Sequence, residues 1–350
     1  MPRQLHAQEP EPADTLLNAG FDPERVVDHT HMITMRIYNS TKFNSFSISD
    51  RSTGADGGNT LTYQPNNQVN LGVGASYRAL TLNLGFGFGF LNKDDAVKGT
   101  TNYFDAQGNL FAKTLATNLF FQRYRGYYID GIDKALLGWE VPSVLPYRSD
   151  VVQSNIGLST LYIFNNDRFS YRAAFNQDSW QRRSAGSFLA GGYATYYTIR
   201  ADSSLVPAAL SALYDSSLYI RRGDFVDAGP MGGYAHTFVI ARHVFITLSY
   251  VVGVGLSTYR TTVSLPGGVE ATERQVSAGF HGQGRSALGY NGSRFTVALT
   301  YNLENVNYSI GTDESFQWNV GNVRFNVAWR IDRRIKLIDR VLERLPFSVG

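Results

Sequence analysis

From Thr81 to Phe90 the chain reads TLNLGFGFGF, with a leucine or phenylalanine at every second position and only Thr81, Asn83 and three glycines between them. A helix would scatter Leu82, Leu84, Phe86, Phe88 and Phe90 around its circumference and would be weakened by interior glycines. A strand sorts the same residues onto one apolar and one bare polar face. The rhythm recurs in VNLGVGASYR (69–78), VFITLSYVVGVGLS (244–257), FTVALTYNLE (295–304) and NVRFNVAWR (322–330). The chain is therefore read as all-β.

These runs reach about ten residues, beyond the five or six usual for a globular strand and about what a tilted strand needs to cross a bilayer. Aromatic residues stand near strand ends, at Phe90, Tyr103, Tyr124, Tyr127, Tyr128, Tyr259 and Trp329, where a membrane barrel carries interfacial girdles. Connections come in two sizes. Short ones lie near Ala79, at Ala112–Lys113, at Asn165–Arg168, at Ala241–His243 and at Asn291–Ser293, and long ones run through 51–66, 91–101, 126–149, 201–224 and 259–274. Short turns on one side and long loops on the other are the habit of membrane barrels.

The alternation of short and long fails once. With 165–168 as a turn, 176–184 becomes an outer loop and 201–224 falls on the turn side, either as an excursion or hiding a further strand. The expectation is an antiparallel transmembrane β-barrel of about 12 to 14 strands. Three parts follow: a lead-in at 1–30, the barrel at 31–331, and a short basic amphipathic C-terminal helix at 332–350. In that helix Ile335, Ile338, Leu342 and Leu345 recur at helical spacing among arginines.

Composition narrows the classes. A net charge of +3 with no basic cluster in the body of the chain excludes a nucleic-acid partner. The absence of cysteine removes disulfides, thiol nucleophiles and cysteine-bound zinc. No run of about 18 apolar residues offers a transmembrane helix, which leaves a β-barrel untouched. The segment LHAQ near the start reads as the end of a cleaved secretion signal.

Several stretches together resemble a known family: KFNSFSI (42–48), YQPNNQVNLGVGASYR (63–78), LTLNLGFGFGFLNKDD (80–95), TNYFDAQGNLF (101–111) and FSYRAAFNQDSWQRRSAGSFLAGGY (169–193). The chain is similar over about 30–330 to an uncharacterised Bacteroidota domain-of-unknown-function family predicted to form outer-membrane β-barrels. The resemblance implies the bacterial outer membrane and a barrel. It implies no activity and no functional residue.

Chemistry is sparse. His281 has Ser286 nearby, and His236 is a further histidine, so a lipid-active enzyme is the enzymatic alternative; no G-x-S-x-G elbow occurs, and the chain is read as no enzyme. Asp28, His29 and His31 in DHTHM offer two histidines on one face of an extended chain, too few ligands for a metal site, and no cofactor is expected. The glycines of GFGFGF continue a strand rather than opening a helix, so they match no phosphate loop. With Gly72, Gly74, Gly253 and Gly255 they leave the inner wall bare, so that something can approach the backbone. Arg36, Asp105, Gln107, Arg172, Glu304 and Arg324 lie opposite the apolar face and cannot point into hydrocarbon without cost, so they are the candidate lumen lining. The leading expectation is a pore or passive transporter for a small solute. The alternative is a closed barrel scaffolding an envelope protein partner, with outer-membrane lipid around it in either case.

Overall fold

A computed structural model describes residues 21–335 except 53–57, 67–68, 79, 88–93, 140–142 and 334. The expected secretion-signal remnant, the C-terminal helix, and Phe88, Gly89 and Phe90 of the opening run lie outside the described residues. The strands are β1 (Val26–Asp28), β2 (Ile33–Asp50), β3 (Asn59–Gln64), β4 (Val69–Tyr77), β5 (Leu80–Gly87), β6 (Asn102–Phe111), β7 (Leu115–Asp130) and β8 (Tyr147–Ile163). They continue as β9 (Ser179–Gln181), β10 (Ala185–Arg200), β11 (Ile220–Ile240), β12 (Val244–Ser264), β13 (Glu270–Asn291), β14 (Phe295–Ser309) and β15 (Glu314–Ile331).

All ladders are antiparallel. β15 pairs with β2 from Ile331↔Ile33 to Glu314↔Asp50, which closes the sheet on itself. The continuous hydrogen-bonded ring runs β2, β3, β7, β8, β10, β11, β12, β13, β14, β15, ten strands in all. β4, β5 and β6 are extra strands wedged between β2 and β7: β4 pairs with the first half of β2, β5 with β4, and β6 with β7. Among the described residues no ladder joins β5 to β6. The closed ring thus falls short of the expected 12 to 14 strands, because β3 alone bridges β2 and β7 at one end while three strands share the gap at the other.

The start of β2 and the end of β15 lie at one end of the barrel, with the turn at Arg78 and the tight turns at 112–114, 241–243 and 292–294. We call this the terminal end and the opposite one the loop end. One expectation is corrected here. Residues 164–184 form a single connection at the terminal end, between β8 and β10, and 201–219 is a loop-end connection between β10 and β11. The up-and-down order therefore holds through this region, and no strand hides in 169–178.

The two-residue rhythm sorts as expected. Leu82 (64% exposed), Leu84 and Phe86 of the opening run face outward, as do Leu71 and Val73 on β4 and the row from Val244 to Leu256 on β12. This outward belt is apolar and uncovered. On β12 it extends over 13 residues, which at about 3.3 Å per residue and a tilt near 40° gives a band of roughly 30 Å.

The aromatic girdle is partly corrected. Trp329 faces outward, but Tyr124, Tyr127 and Tyr259 are almost wholly buried and point inward. They join Phe46, Tyr63, Tyr197, Phe225, Tyr308, Phe316 and Trp318 in a core that fills the loop-end half of the barrel. Outward aromatics are instead Phe104, Phe121, Phe188, Tyr234, Phe280 and Phe295, among others.

Candidate functional site

The candidate lumen residues lead to the barrel interior, which has three storeys. At the loop end the rings stack: Phe46 lies 4.7 Å from Tyr63 and 5.6 Å from Phe316, and Phe225 lies 5.0 Å from Phe316. Some polar tips find partners within the layer, Tyr127 donating to Gln153 at 2.5 Å and Trp318 to Asn44 at 2.7 Å, whereas the Tyr197 and Tyr308 hydroxyls are buried without one among the described residues. The 201–219 connection sits on top, burying Leu205, Val206, Leu210, Tyr214 and Leu218 against the rings, and Tyr63 donates to the Leu205 carbonyl. A face of this kind excludes water and ions.

At the terminal end the 169–181 segment folds back into the barrel as a plug. Ser170 caps a one-turn helix, Tyr171–Phe175, by accepting from the Ala173 amide. The chain then reverses through Gln177, whose φ of 62° is left-handed, and leaves as β9, which pairs with β1 from Val26↔Gln181 to Asp28↔Ser179. Arginines hold the plug to the wall. Arg172 grips Asp178 with both nitrogens at 2.6 and 3.1 Å and donates to the carbonyls of Phe111 at 2.9 Å and Arg78 at 2.7 Å. From the wall, Arg36 donates to the Asn176 carbonyl at 2.9 Å, and Arg330 donates to the Gln177 carbonyl at 2.6 Å and the Asn291 side chain at 2.9 Å. Tyr171 reaches Ser249 at 3.2 Å on the far wall.

Burial opposes the Arg172 charge, but the Asp178 carboxylate more than offsets this and holds the guanidinium above its usual value. Where the lead-in meets the plug, burial, reinforced by the nearby Arg330 and His31 charges, pushes His29 down to about 3. Burial also raises the Asp28 carboxyl.

Between plug and aromatic layer lies a polar chamber of about 90 Å³, room for a few water molecules. Arg36, Gln107, Glu304 and Arg324 line it with Arg285 and the amides of Asn118, Asn302, Asn322 and Asn326. Asp105 is fixed at its edge, 3.1 Å from Lys42 and accepting from Tyr124 at 2.8 Å and Gln122 at 2.9 Å. Arg324 lies 4.4 Å over the Tyr38 ring, and Arg285 stands 5.9 Å from the rings of Tyr171 and Phe175. Among the described residues Arg36, Arg285 and Arg324 form no ion pair, and the Nε atom of each is buried without a hydrogen-bond partner. The chamber therefore carries more positive than negative charge.

Of the six candidate residues, four line the chamber and Asp105 borders it. Arg172 is inside the barrel as well, but on the plug rather than on a strand. The sequence reading missed Asp178, Arg285 and Arg330. Arg330 shares the inward parity of Arg324 and Asn326, a signal present in NVRFNVAWR, whereas nothing in 176–184 marks Asp178 as buried.

The bare glycine wall is occupied. A Cβ on Gly72 would meet the Tyr38 ring at 2.2 Å, and one on Gly253 would meet the Tyr193 ring at 2.5 Å. His281 faces inward with neither ring nitrogen bonded, 4.3 Å from the Tyr193 ring. Ser286, an odd number of residues away on the same strand, faces the opposite side, so the two do not form a nucleophile pair. His236 faces outward toward Tyr234 and Phe238. His29 and His31 stand 6.4 Å apart, and no group of three metal-ligating side chains occurs among the described residues.

A family described as "Domain of unknown function (DUF4421)" matches residues 25–330. No curated protein matches the chain. Among solved structures it is similar to the outer membrane protease OmpT from Escherichia coli, at 10% identity and a TM-score of 0.42, over 87% of this chain and 98% of that one. It is also similar to the outer membrane protein OprG from Pseudomonas aeruginosa, at 10% identity and a TM-score of 0.23, over 87% and 99%. Likeness at this level carries no residue over.

Proposed function

The chain belongs to the family described as a domain of unknown function (DUF4421), and from that premise we propose that it is an outer-membrane β-barrel that rests closed, serving the envelope as a sealed structural barrel rather than as an open pore. The membrane part of this reading rests on the uncovered apolar belt of roughly 30 Å, which no soluble protein leaves in water. The short turns, the 164–184 connection and both strand termini would face the periplasm, and the other long connections the outside.

One observation carries the closure: the lumen is filled from both ends, by the arginine-held plug and by the aromatic layer under the 201–219 cap. The pore expected from the polar faces alone does not follow from such a lumen. The test is single-channel recording of inserted protein in a planar bilayer, beside a variant in which Arg330→Ala and Asp178→Asn loosen the plug. A silent wild type supports the closed barrel; steady conductance steps from the wild type overturn it.

A second reading has its own observation. Three arginines that form no ion pair among the described residues, against the single carboxylate of Glu304, are costly in a buried chamber unless an anion joins them, and a plug fastened by hydrogen bonds is removable. In that reading the barrel is a gated passage for a small anion. Anion-selective steps in the loosened variant, lost on adding Arg324→Ala, would favour it.

A further inference from the structure

On the outer wall, where the apolar belt ends toward the loop end, the ladders align two kinds of residue in successive rows. The last apolar row runs Phe121, Ile156, Tyr196, Val226 across β7, β8, β10 and β11, all exposed. Two residues further along each strand the facing positions become Arg123, Ser154, Thr198, Asp224, and the row continues through Arg260 on β12 to Arg274 on β13. One step higher stand Arg125, Val152, Arg200 and Arg222.

Between β7, β8 and β10 this wall is concave, a groove of about 380 Å³ bounded by Arg123, Arg125 and Arg200, with Asp150 and Asp202 at its upper rim. Asp150 is committed to Arg148, at 2.7 and 2.8 Å, and Asp224 to Arg222 at 3.4 Å. Among the described residues Arg123, Arg200, Arg260 and Arg274 have no ion pair or side-chain hydrogen bond. Unpaired arginines beside a groove fit a phosphate, whose oxygens accept in the bidentate geometry a guanidinium offers.

The ligand must also suit the apolar row, which begins only about 7 Å away along the strand. A free phosphate gains nothing from Phe121, Ile156 and Tyr196. A lipid with a phosphorylated headgroup satisfies both rows at once, its phosphate in the groove and its acyl chains along the belt. We infer that this groove binds the phosphate of a lipid with a phosphorylated headgroup in the loop-end leaflet. The inference rests on the membrane-spanning reading and is indifferent to whether the lumen opens.

The test measures binding of bisphosphorylated lipid A to the full chain in detergent micelles, beside the same lipid after phosphatase treatment and inorganic phosphate alone. The expected result is saturable binding of the phosphorylated lipid, weakened at least tenfold by dephosphorylation and by the double change Arg123→Gln, Arg200→Gln. A change of Arg222→Gln, already paired with Asp224, should matter much less. Both altered arginines are exposed, and retention of heat-dependent gel migration shows that the variant barrel is folded. Equal affinities for the two lipids, or equal affinities of wild type and double variant, would overturn the inference. So would binding of inorganic phosphate as tight as that of the lipid, which would make the groove a soluble-phosphate site. Recovery of the native protein in the soluble fraction after urea washing would mark failure of the membrane reading itself, independently of any lipid result.

Discussion

Tyr38 shows what the glycines of β4 and β5 are for. Its ring packs against Gly72, where a methyl group would collide with it, its hydroxyl end reaches Gly85, and Arg324 stands over the ring. A cation over an aromatic face contributes on the order of 1–2 kcal/mol when shielded from water, so the bare wall is a seat for a side chain rather than a passage. Trp318 has the corresponding place in the upper storey, fully buried between Phe120 and Tyr197 with its indole nitrogen bonded to Asn44. Trp318→Ala is expected to cost about 3–5 kcal/mol, to be read as a lowered guanidinium midpoint for the protein in micelles. A change below 1 kcal/mol would mean that the aromatic layer is not a packed core. His29 predicts a dependence on pH. Its folded value of about 3 lies below the free value of 6.5, so the unfolded or detached segment binds the proton more readily. Attachment of the lead-in is therefore strongest above pH 6.5 and weakens as the pH falls, by about 2 kcal/mol at pH 5. Asp28 works the other way, because burial makes its carboxyl take up a proton more readily in the attached segment than in the free one. Amides of residues 26–29 and 178–181 should lose about 30-fold of their exchange protection between pH 7 and pH 5. His29→Gln should abolish that difference, and an unchanged pattern in the wild type would refute the assignment.

At the scale of elements, the strands were legible and the plug was not. Period-two alternation identified β4, β5, β12, β14 and β15 because wall strands have one face in each of two unlike surroundings. In the upper half it is the inner face that is apolar and the outer face that carries arginines such as Arg123, Arg125 and Arg260, so Tyr124, Tyr127 and Tyr259 read as interfacial residues although they point inward. Phe169, Tyr171, Ala173 and Phe175 also alternate, and local sequence gives them a strand's signature. What overrides it is the Ser170 cap, which starts a helical turn, and the Arg172–Asp178 pair, formed only after the segment has turned into the barrel. Contacts made across 140 or more residues, such as Arg36 to Asn176, leave no local trace. The candidate lumen residues were legible as inward-facing, whereas the chamber they share with Arg285 depends on where the plug stops. Among the described residues β5 and β6 each have a ladder on one side only. Their amides are thus expected to exchange at least tenfold faster than those of β11, β12 and β13, each paired along both edges. Uniform protection around the wall would show that the seam is closed.

For the whole molecule, strand number varies with height. Ten strands ring the loop end, and the wedge of β4, β5 and β6 enlarges the circumference toward the terminal end, because barrel diameter grows with the number of strands. The narrow half is the one that aromatic rings can fill; the wide half is the one that needs a segment of its own backbone. Closure of the ten-strand ring also removes the edges that an open sheet of this size would present, leaving those of β5 and β6 among the described residues.

The small ladder between β1 and β9 gives this geometry a direction. The three paired residues tie the plug to the leading segment, not to the wall. Tension applied to that segment from the terminal side would part the rungs one after another, beginning at Val26, while the long wall ladders bore the load together along their length. A plug held to the wall by arginines and to the leading segment by three rungs would thus shed its tether before it left its seat, so mechanically the lead-in resembles a tear-off strip laid over a stopper.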